Sequence, residues 1–247
     1  MSSKWVTYLN FDREQTREFL RKPDQKIDLI IPRGGEKLIS FVKQHATCPV
    51  IVSGRGNNFV YVSSKADKVK AFQIILNAKT AKISACNALD KVLIDTALPG
   101  YDAFVKELIN ELSTAKVQVL ATGDIGNFSG VEKTDDDSLW YEEFLDYKIL
   151  IGSTDSLDSA VVMINTYGGG HSASIISENE QESSVFLSSV DAAAVYHNAS
   201  TRFTDGFQFG LGGELAISTD KLHQRGPIGL QHLVTNKWYI HGDGQIR

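Results

Sequence analysis

The sequence predicts an α/β fold built on a mostly parallel sheet, and three observations carry that expectation. β-branched apolar runs such as "KIDLIIP" (residues 26–32) have the composition of strands buried on both faces. These runs alternate with amphipathic segments of about ten residues, the rhythm of βαβ units. The glycine-rich stretches "SGRGNN", "YGGGHS" and "FGLGGE" fall between elements, where functional loops sit.

In chain order, "WVTYLNF" reads as a short strand and "REQTREFLRK" as an amphipathic helix. "KIDLIIP" is the next strand and ends at Pro32 and the turn "RGG". "EKLISFVKQH" then reads as a helix with Leu38, Ile39 and Val42 on one face. "CPVIVSG" is a third strand, with Pro49 at its start, where a missing N–H matters least. "NFVYVS" is a fourth, "KADKVKAFQIILNAKTAK" a longer helix and "KVLIDTAL" a strand. "YDAFVKELINELS" is a helix, "KVQVLAT" and "DYKILIGS" are strands, and "LDSAVVMINTY" is a helix. "ASIIS" and "AAAVYHN" are strands with the helix "ESSVFLSSV" between them. "KWYIHGDGQIR" (237–247) alternates as an edge strand or hairpin arm does. No repeat or low-complexity segment interrupts the order. The turn "IPRGGEK" has a strand–turn–helix setting but lacks the Gly-x-Gly-x-x-Gly spacing of a dinucleotide fingerprint. The opening segment reads as the end of a sheet whose beginning is absent, since a parallel sheet needs neighbours for its strands.

Bulk properties narrow the function classes. The chain has 247 residues, 42% of them hydrophobic and 22% charged, as ordinary globular proteins do. A formal net charge of −5 gives no electrostatic reason to expect nucleic acid or anionic lipid as a partner. No apolar run is long enough to span a bilayer and the first residues lack the apolar centre of a signal peptide, so cytoplasm is the expected location. Cys48 and Cys86 have no partners at metal-ligand spacing, and a reducing compartment disfavours a bridge between them. For Cys86, between small residues in "AKISACNALD", buried filler and nucleophile remain as the two readings.

The set "DLIIPRGG", "SACNAL", "YGGGHS", "VDAAAVYHNASTRFTDGFQFGLGGELAIST" and "HQRGPIGL…TNKWYIHGDGQIR" resembles the γ-glutamyl phosphate reductase family. Its members are glutamate-5-semialdehyde dehydrogenases of proline biosynthesis, within the aldehyde dehydrogenase superfamily. The resemblance runs from about residue 5 to the end and covers the C-terminal part of such an enzyme. It implies an aldehyde dehydrogenase-like fold in three parts: the end of a Rossmann-like cofactor domain (1–52), a catalytic cysteine domain (53–227) and an oligomerisation arm (228–247). It further implies cytoplasmic NADPH-dependent reduction of γ-glutamyl phosphate to glutamate 5-semialdehyde and phosphate, in a homo-oligomer functionally coupled to glutamate 5-kinase.

By the same resemblance Cys86 is the nucleophile, forming a thioester that NADPH reduces, and Cys48 is structural. Ile51 stands where hydrolytic aldehyde dehydrogenases carry a water-activating glutamate, and isoleucine cannot act as a base. Arg33, Gly34 and Gly35 match the turn against the cofactor, and Glu143, with Glu142 as the fallback, matches the residue that holds its ribose. Ser200, Thr201 and Arg202 of "NASTRF" are expected to capture the anionic substrate, with Asn198 orienting the loop. An ion pair of Arg202 with Asp205 or Glu214 is the competing structural reading. His223 and Arg225 form a second cationic pair that faces the substrate or holds the C-terminal arm. His171 belongs to the signature "YGGGHS" with a catalytic or structural role, and Phe209 walls the pocket. No metal is expected. Two rival readings stand beside this one. A truncated, non-catalytic fragment would keep the fold and the arm but lack most of the cofactor site, and an acylating dehydrogenase would use coenzyme A.

Overall fold

A computed structural model describes residues 6–23, 26–221 and 224–247 of the chain. The backbone divides into two compact units, Met1–Ser53 and Gly54–Arg247.

In the first unit, α1 (Arg13–Arg21) starts at a capping box: the Asp12 side chain accepts from the Glu14 and Gln15 amides, and Gln15 accepts from the Asp12 amide. α1 buries none of its own residues; Arg17 and Arg21 instead lie over the ring of Phe41, 5.7 and 5.2 Å from its centroid. Phe41 belongs to α2 (Glu36–His45), which also buries Val42. The three strands expected here are not formed. "WVTYLNF" is irregular and exposed over its described residues, and among the described residues "KIDLIIP" and "CPVIVSG" meet in one parallel bridge, Ile30 with Val50. An apolar run signals burial, but a strand exists only where another backbone lies alongside to take its hydrogen bonds.

The second unit realises the predicted alternation. It runs β1 (Asn58–Val62), α3 (Lys68–Thr80), β2 (Leu89–Asp95), α4 (Tyr101–Thr114), β3 (Gln118–Ala121), β4 (Glu132–Lys133) and β5 (Lys148–Thr154). It continues with α5 (Leu157–Tyr167), β6 (Ser172–Ile176), α6 (Glu180–Ser189) and β7 (Ala194–His197). These seven strands form one parallel sheet in the order β4-β3-β5-β2-β1-β6-β7. Residues of β1 divide between its faces as a strand period of two requires. Val60 and Val62 join Ile75 of α3 and Leu108 of α4 on one side; Phe59 and Tyr61 join Trp140, Ile164 and Phe186 on the other.

Four helices start on side-chain caps: Asp67 for α3, Ser156 for α5 and Asn179 for α6 accept from backbone amides as Asp12 does for α1. The sequence reading missed the antiparallel hairpin of β8 (Ala216–Ser218) and β9 (Gly226–Ile228), and the two-residue β4. Residues 237–247, expected as an edge strand or hairpin arm, carry no strand and expose Trp238, Tyr239 and Ile240. Among the described residues no helix is long and apolar enough to cross a membrane.

Phe186 is fully buried and stacks on Tyr61 at 6.3 Å. Phe186→Ala should therefore cost about 3–5 kcal/mol, read as a lower urea midpoint of unfolding.

Candidate active site

Cys86 sits in the turn that joins α3 to β2, half-buried and with a free thiol. The turn closes on itself through Ala85 N–H to Lys82 C=O (3.2 Å) and Ala88 N–H to Ala85 C=O (2.9 Å). What fixes it in space is Asn58, at the start of β1 and fully buried. Its amide nitrogen lies 2.8 Å from the Cys86 carbonyl, 2.6 Å from that of Ala88 and 2.7 Å from that of Gly56. Gly56 must be glycine, because a Cβ there would drive into the carbonyl of Cys86. Asn57 secures the same loop from the other side, donating to the carbonyls of Trp140 (2.6 Å) and Tyr167 (2.7 Å).

Gly56 also donates its N–H to Oε1 of Glu143 at 3.0 Å, so Glu143 and the Cys86 turn share one anchor. The segment carrying Glu143 is held from below by consecutive residues of β2. Asp90 accepts from the Phe144 amide (3.1 Å) while ion-paired with Lys79 (3.1 Å); Lys91 donates to the Glu142 carbonyl (2.7 Å) and lies 3.6 Å from the centroid of Phe144. A regular strand would send Asp90 and Lys91 to opposite faces. The β1–β2 register shifts here, Asn58 facing Leu89 and Phe59 facing Lys91, so both side chains serve the same segment. Glu142 itself is exposed.

On the third side stands "NASTRFT". Thr201 donates to the carbonyl of Asn87 (2.9 Å), and the Asn87 amide donates to the carbonyls of Arg202 (3.2 Å) and Thr204 (2.9 Å). Ser200 accepts from the Arg202 amide at 3.3 Å. Nη1 of Arg202 is buried and has no hydrogen-bond partner among the described residues. Glu214 accepts from the Gly206 amide at 2.9 Å.

These neighbours set the electrostatics. Burial pushes the Cys86 thiol up to about 11, the carboxylates of Glu214 and Glu143 push the same way, and the Arg202 guanidinium opposes them. Burial also raises Glu143, against the Gly56 amide that favours its charged form. Lys91 is brought down to about 7 by burial, against the attraction of Asp90. His171 is held neutral by burial, its pKa brought down to about 4.

The structure thus gathers Cys86, Glu143, Ser200, Thr201 and Arg202 around one turn. Other expected residues lie elsewhere. Asn198 uses its amide on Ser177 and Glu178 (3.0 and 3.2 Å). Arg225 is paired with Asp191 at 2.7 Å, fastening the start of β9 to the loop before β7. Phe209 is exposed, and His223 lies outside the described residues. Arg33, Gly34 and Gly35 belong to the first unit, where Gly35 caps α2 without a side-chain hydrogen bond and Ile51 is buried. Sequence reasoning passed over Gly56, Asn58, Asn87 and Thr204. Two polar asparagines opening an apolar strand were the available signal for Asn58.

No family model matches the chain. A γ-glutamyl phosphate reductase of Clostridium botulinum (strain Alaska E43 / Type E3) is 46% identical over 238 residues, which are 96% of this chain and 57% of the relative. The chain is a homologue of the γ-glutamyl phosphate reductases. It spans 57% of the length of that curated relative and corresponds to the C-terminal part of such proteins. The crystal structure of the reductase from Thermotoga maritima superposes with a TM-score of 0.89 at 40% identity, covering 96% of this chain and 57% of that one. An acetylating aldehyde dehydrogenase from Geobacillus thermoglucosidasius shares the fold, with a TM-score of 0.70 at 17% identity over 96% of this chain and 61% of its own. The fold is therefore aldehyde dehydrogenase-like, as the sequence motifs of these reductases imply.

Two outcomes test this geometry. Gly56→Ala should destabilise the second unit by about 1–3 kcal/mol in urea unfolding, because the methyl group meets backbone that cannot rotate away. Lys91 holds its proton less tightly folded than unfolded, so the unfolded chain binds the extra proton between about pH 7 and the ordinary lysine range near 10.4. Stability from this residue accordingly rises with pH across that window. Lys91→Met should flatten the rise in unfolding curves recorded at several pH values; Lys79, also lowered by burial, acts in the same direction.

Proposed function

We propose that this chain carries the acyl-transfer centre of a phosphate-linked reductase that converts γ-glutamyl phosphate to glutamate 5-semialdehyde. The observation that carries the reading is the convergence on one turn of a thiol, an arginine with a buried unpartnered nitrogen, and a glutamate anchored by a single amide. The homology to γ-glutamyl phosphate reductases supports the substrate class.

In this reading the Cys86 thiolate attacks the γ-carbonyl carbon of the acyl phosphate. A sulfur–carbon bond forms, the carbon–oxygen bond to phosphate breaks, and phosphate leaves with that electron pair. Arg202 supplies the guanidinium that receives an anionic group of the substrate, with Ser200 shaping its backbone. The Asn58 amide keeps the carbonyls of the turn occupied, so the turn presents the sulfur in one orientation. Cys86 departs as thiolate once the thioester is reduced to the aldehyde, and is reprotonated because its environment favours the neutral form.

Each unit, taken by itself, carries residues suited to part of a nicotinamide dinucleotide. Glu143 uses one carboxylate oxygen on Gly56 and accepts no other protein hydrogen bond among the described residues, which suits it to a ribose hydroxyl. The uncapped start of α2 at Gly35, with Gly34 and Arg33 before it, offers backbone N–H groups suited to phosphate. Such a cofactor, when bound, would supply hydride; NADP(H) is the form we assign, by homology. The exposed segment with Trp238, Tyr239 and Ile240 would pair with a second copy, giving a homo-oligomer.

A second reading is favoured by a specific observation. The thiol is strongly raised and the chain spans little more than half of its relatives, so the chain by itself would keep fold and site but turn over little. The test is to mix the purified chain with glutamate 5-semialdehyde, phosphate and NADP, follow NADPH formation, and look for a glutamyl adduct by mass spectrometry. We expect little turnover and a Cys86-dependent adduct that Cys86→Ser abolishes. An adduct that survives Cys86→Ser overturns the assignment. Saturable NADPH binding, read from nicotinamide fluorescence, separates the two readings.

A further inference from the structure

We propose that Thr204 is a positioning residue that holds the Cys86 turn from behind, acting through Asn87. This rests on the reading of Cys86 as the nucleophile and adds to it the device that aims the sulfur. Thr204 is fully buried, and its two ends do different work. Its hydroxyl is shared between Ser172 Oγ and the Tyr196 hydroxyl, each at 2.7 Å, and Ser172 in turn lies 2.8 Å from His171 Nδ1. Ser172 opens β6 and Tyr196 lies on β7, so two strands of the sheet fix the hydroxyl. The Thr204 carbonyl, on the other side, accepts from the amide of Asn87, the residue next to Cys86.

The clamp is reciprocal. Both amide protons of Asn87 go to the carbonyls of Arg202 and Thr204, and the Asn87 carbonyl is taken by the Thr201 hydroxyl. The peptide after Cys86 therefore cannot turn without breaking bonds to a segment that is itself pinned to the sheet. No charged side chain belongs to this network. The charges that face Cys86 are Glu214, Glu143 and Arg202, and His171 stays neutral through the physiological range. Loosening the network consequently acts on the thiol only by moving the turn and admitting water.

The experiment uses the full chain with Cys48→Ser, so that Cys86 is the one remaining thiol. Its alkylation by iodoacetamide is followed by mass spectrometry from about neutral pH to about pH 10. Thr204→Val, which keeps the shape and removes the hydroxyl, should alkylate several-fold faster, with the pH profile displaced toward an ordinary thiol. Thr204→Ser should restore the parental profile. A role confined to stability would lower the melting temperature and leave the profile in place; identical profiles for Thr204→Val and the parent overturn the proposal. Should Thr204→Val fail to fold, Tyr196→Phe removes one of the two hydroxyl partners and decides the matter, an unchanged profile again overturning it. Failure of the nucleophile reading would show separately, as the absence of a glutamyl adduct on Cys86, whatever the alkylation profiles.

Discussion

One buried amide holds the site together. The Asn58 side chain stands within hydrogen-bond reach of three backbone carbonyls, on the glycine loop before β1, on the Cys86 turn, and at the approach to β2. A carbonyl left unpaired in a dry interior costs about 1–3 kcal/mol. The two protons of this amide are shared among the three, so loop and turn are tied to the same strand. Glu143 is joined to this frame through the Gly56 amide, and the "NASTRFT" segment, pinned separately to β6 and β7, is joined to it through Asn87. Remove the amide and no other group described here connects the three.

Charge is arranged around that frame with a bias. Burial keeps the thiol protonated, the carboxylates of Glu214 and Glu143 add to it, and the Arg202 guanidinium opposes them without prevailing. Beneath, Lys79, Asp90 and Lys91 form a dry charged layer that reaches the Glu142 carbonyl, the Phe144 amide and the Phe144 ring. Buried charges of this kind are weak evidence for stability, since desolvation offsets most of the attraction. Their value here is geometric: they leave the segment bearing Glu143 one way to lie.

Much of the second unit was legible before any coordinates. "YDAFVKELINELS" announced a helix because its apolar residues recur at the helical period, and it forms α4; "EKLISFVKQH" did the same for α2 in the first unit. "KIDLIIP" misled because composition reports burial and not pairing; its one bridge to Val50 shows a run that is apolar but has a single neighbour. β8 and β9, three residues each, are too short for any period to register. Cys86 and Arg202 were found through motif resemblance. Asn58 and Thr204 were not, because their meaning lies in partners 28 and 117 residues away, Cys86 and Asn87, that only the fold brings near.

The strand order has a consequence for how the chain comes into being. β1 and β2 are neighbours in sequence and meet early, yet the other flank of β1 closes only on β6, where Phe59 faces Ala173. A nascent chain therefore carries one uncovered row of backbone donors and acceptors beside Val60 and Val62 until β6 has been made. Pairings of such wide separation slow maturation and invite wrong partners meanwhile. The centre of the sheet, most protected in the finished molecule, is the part a ribosome leaves unguarded longest.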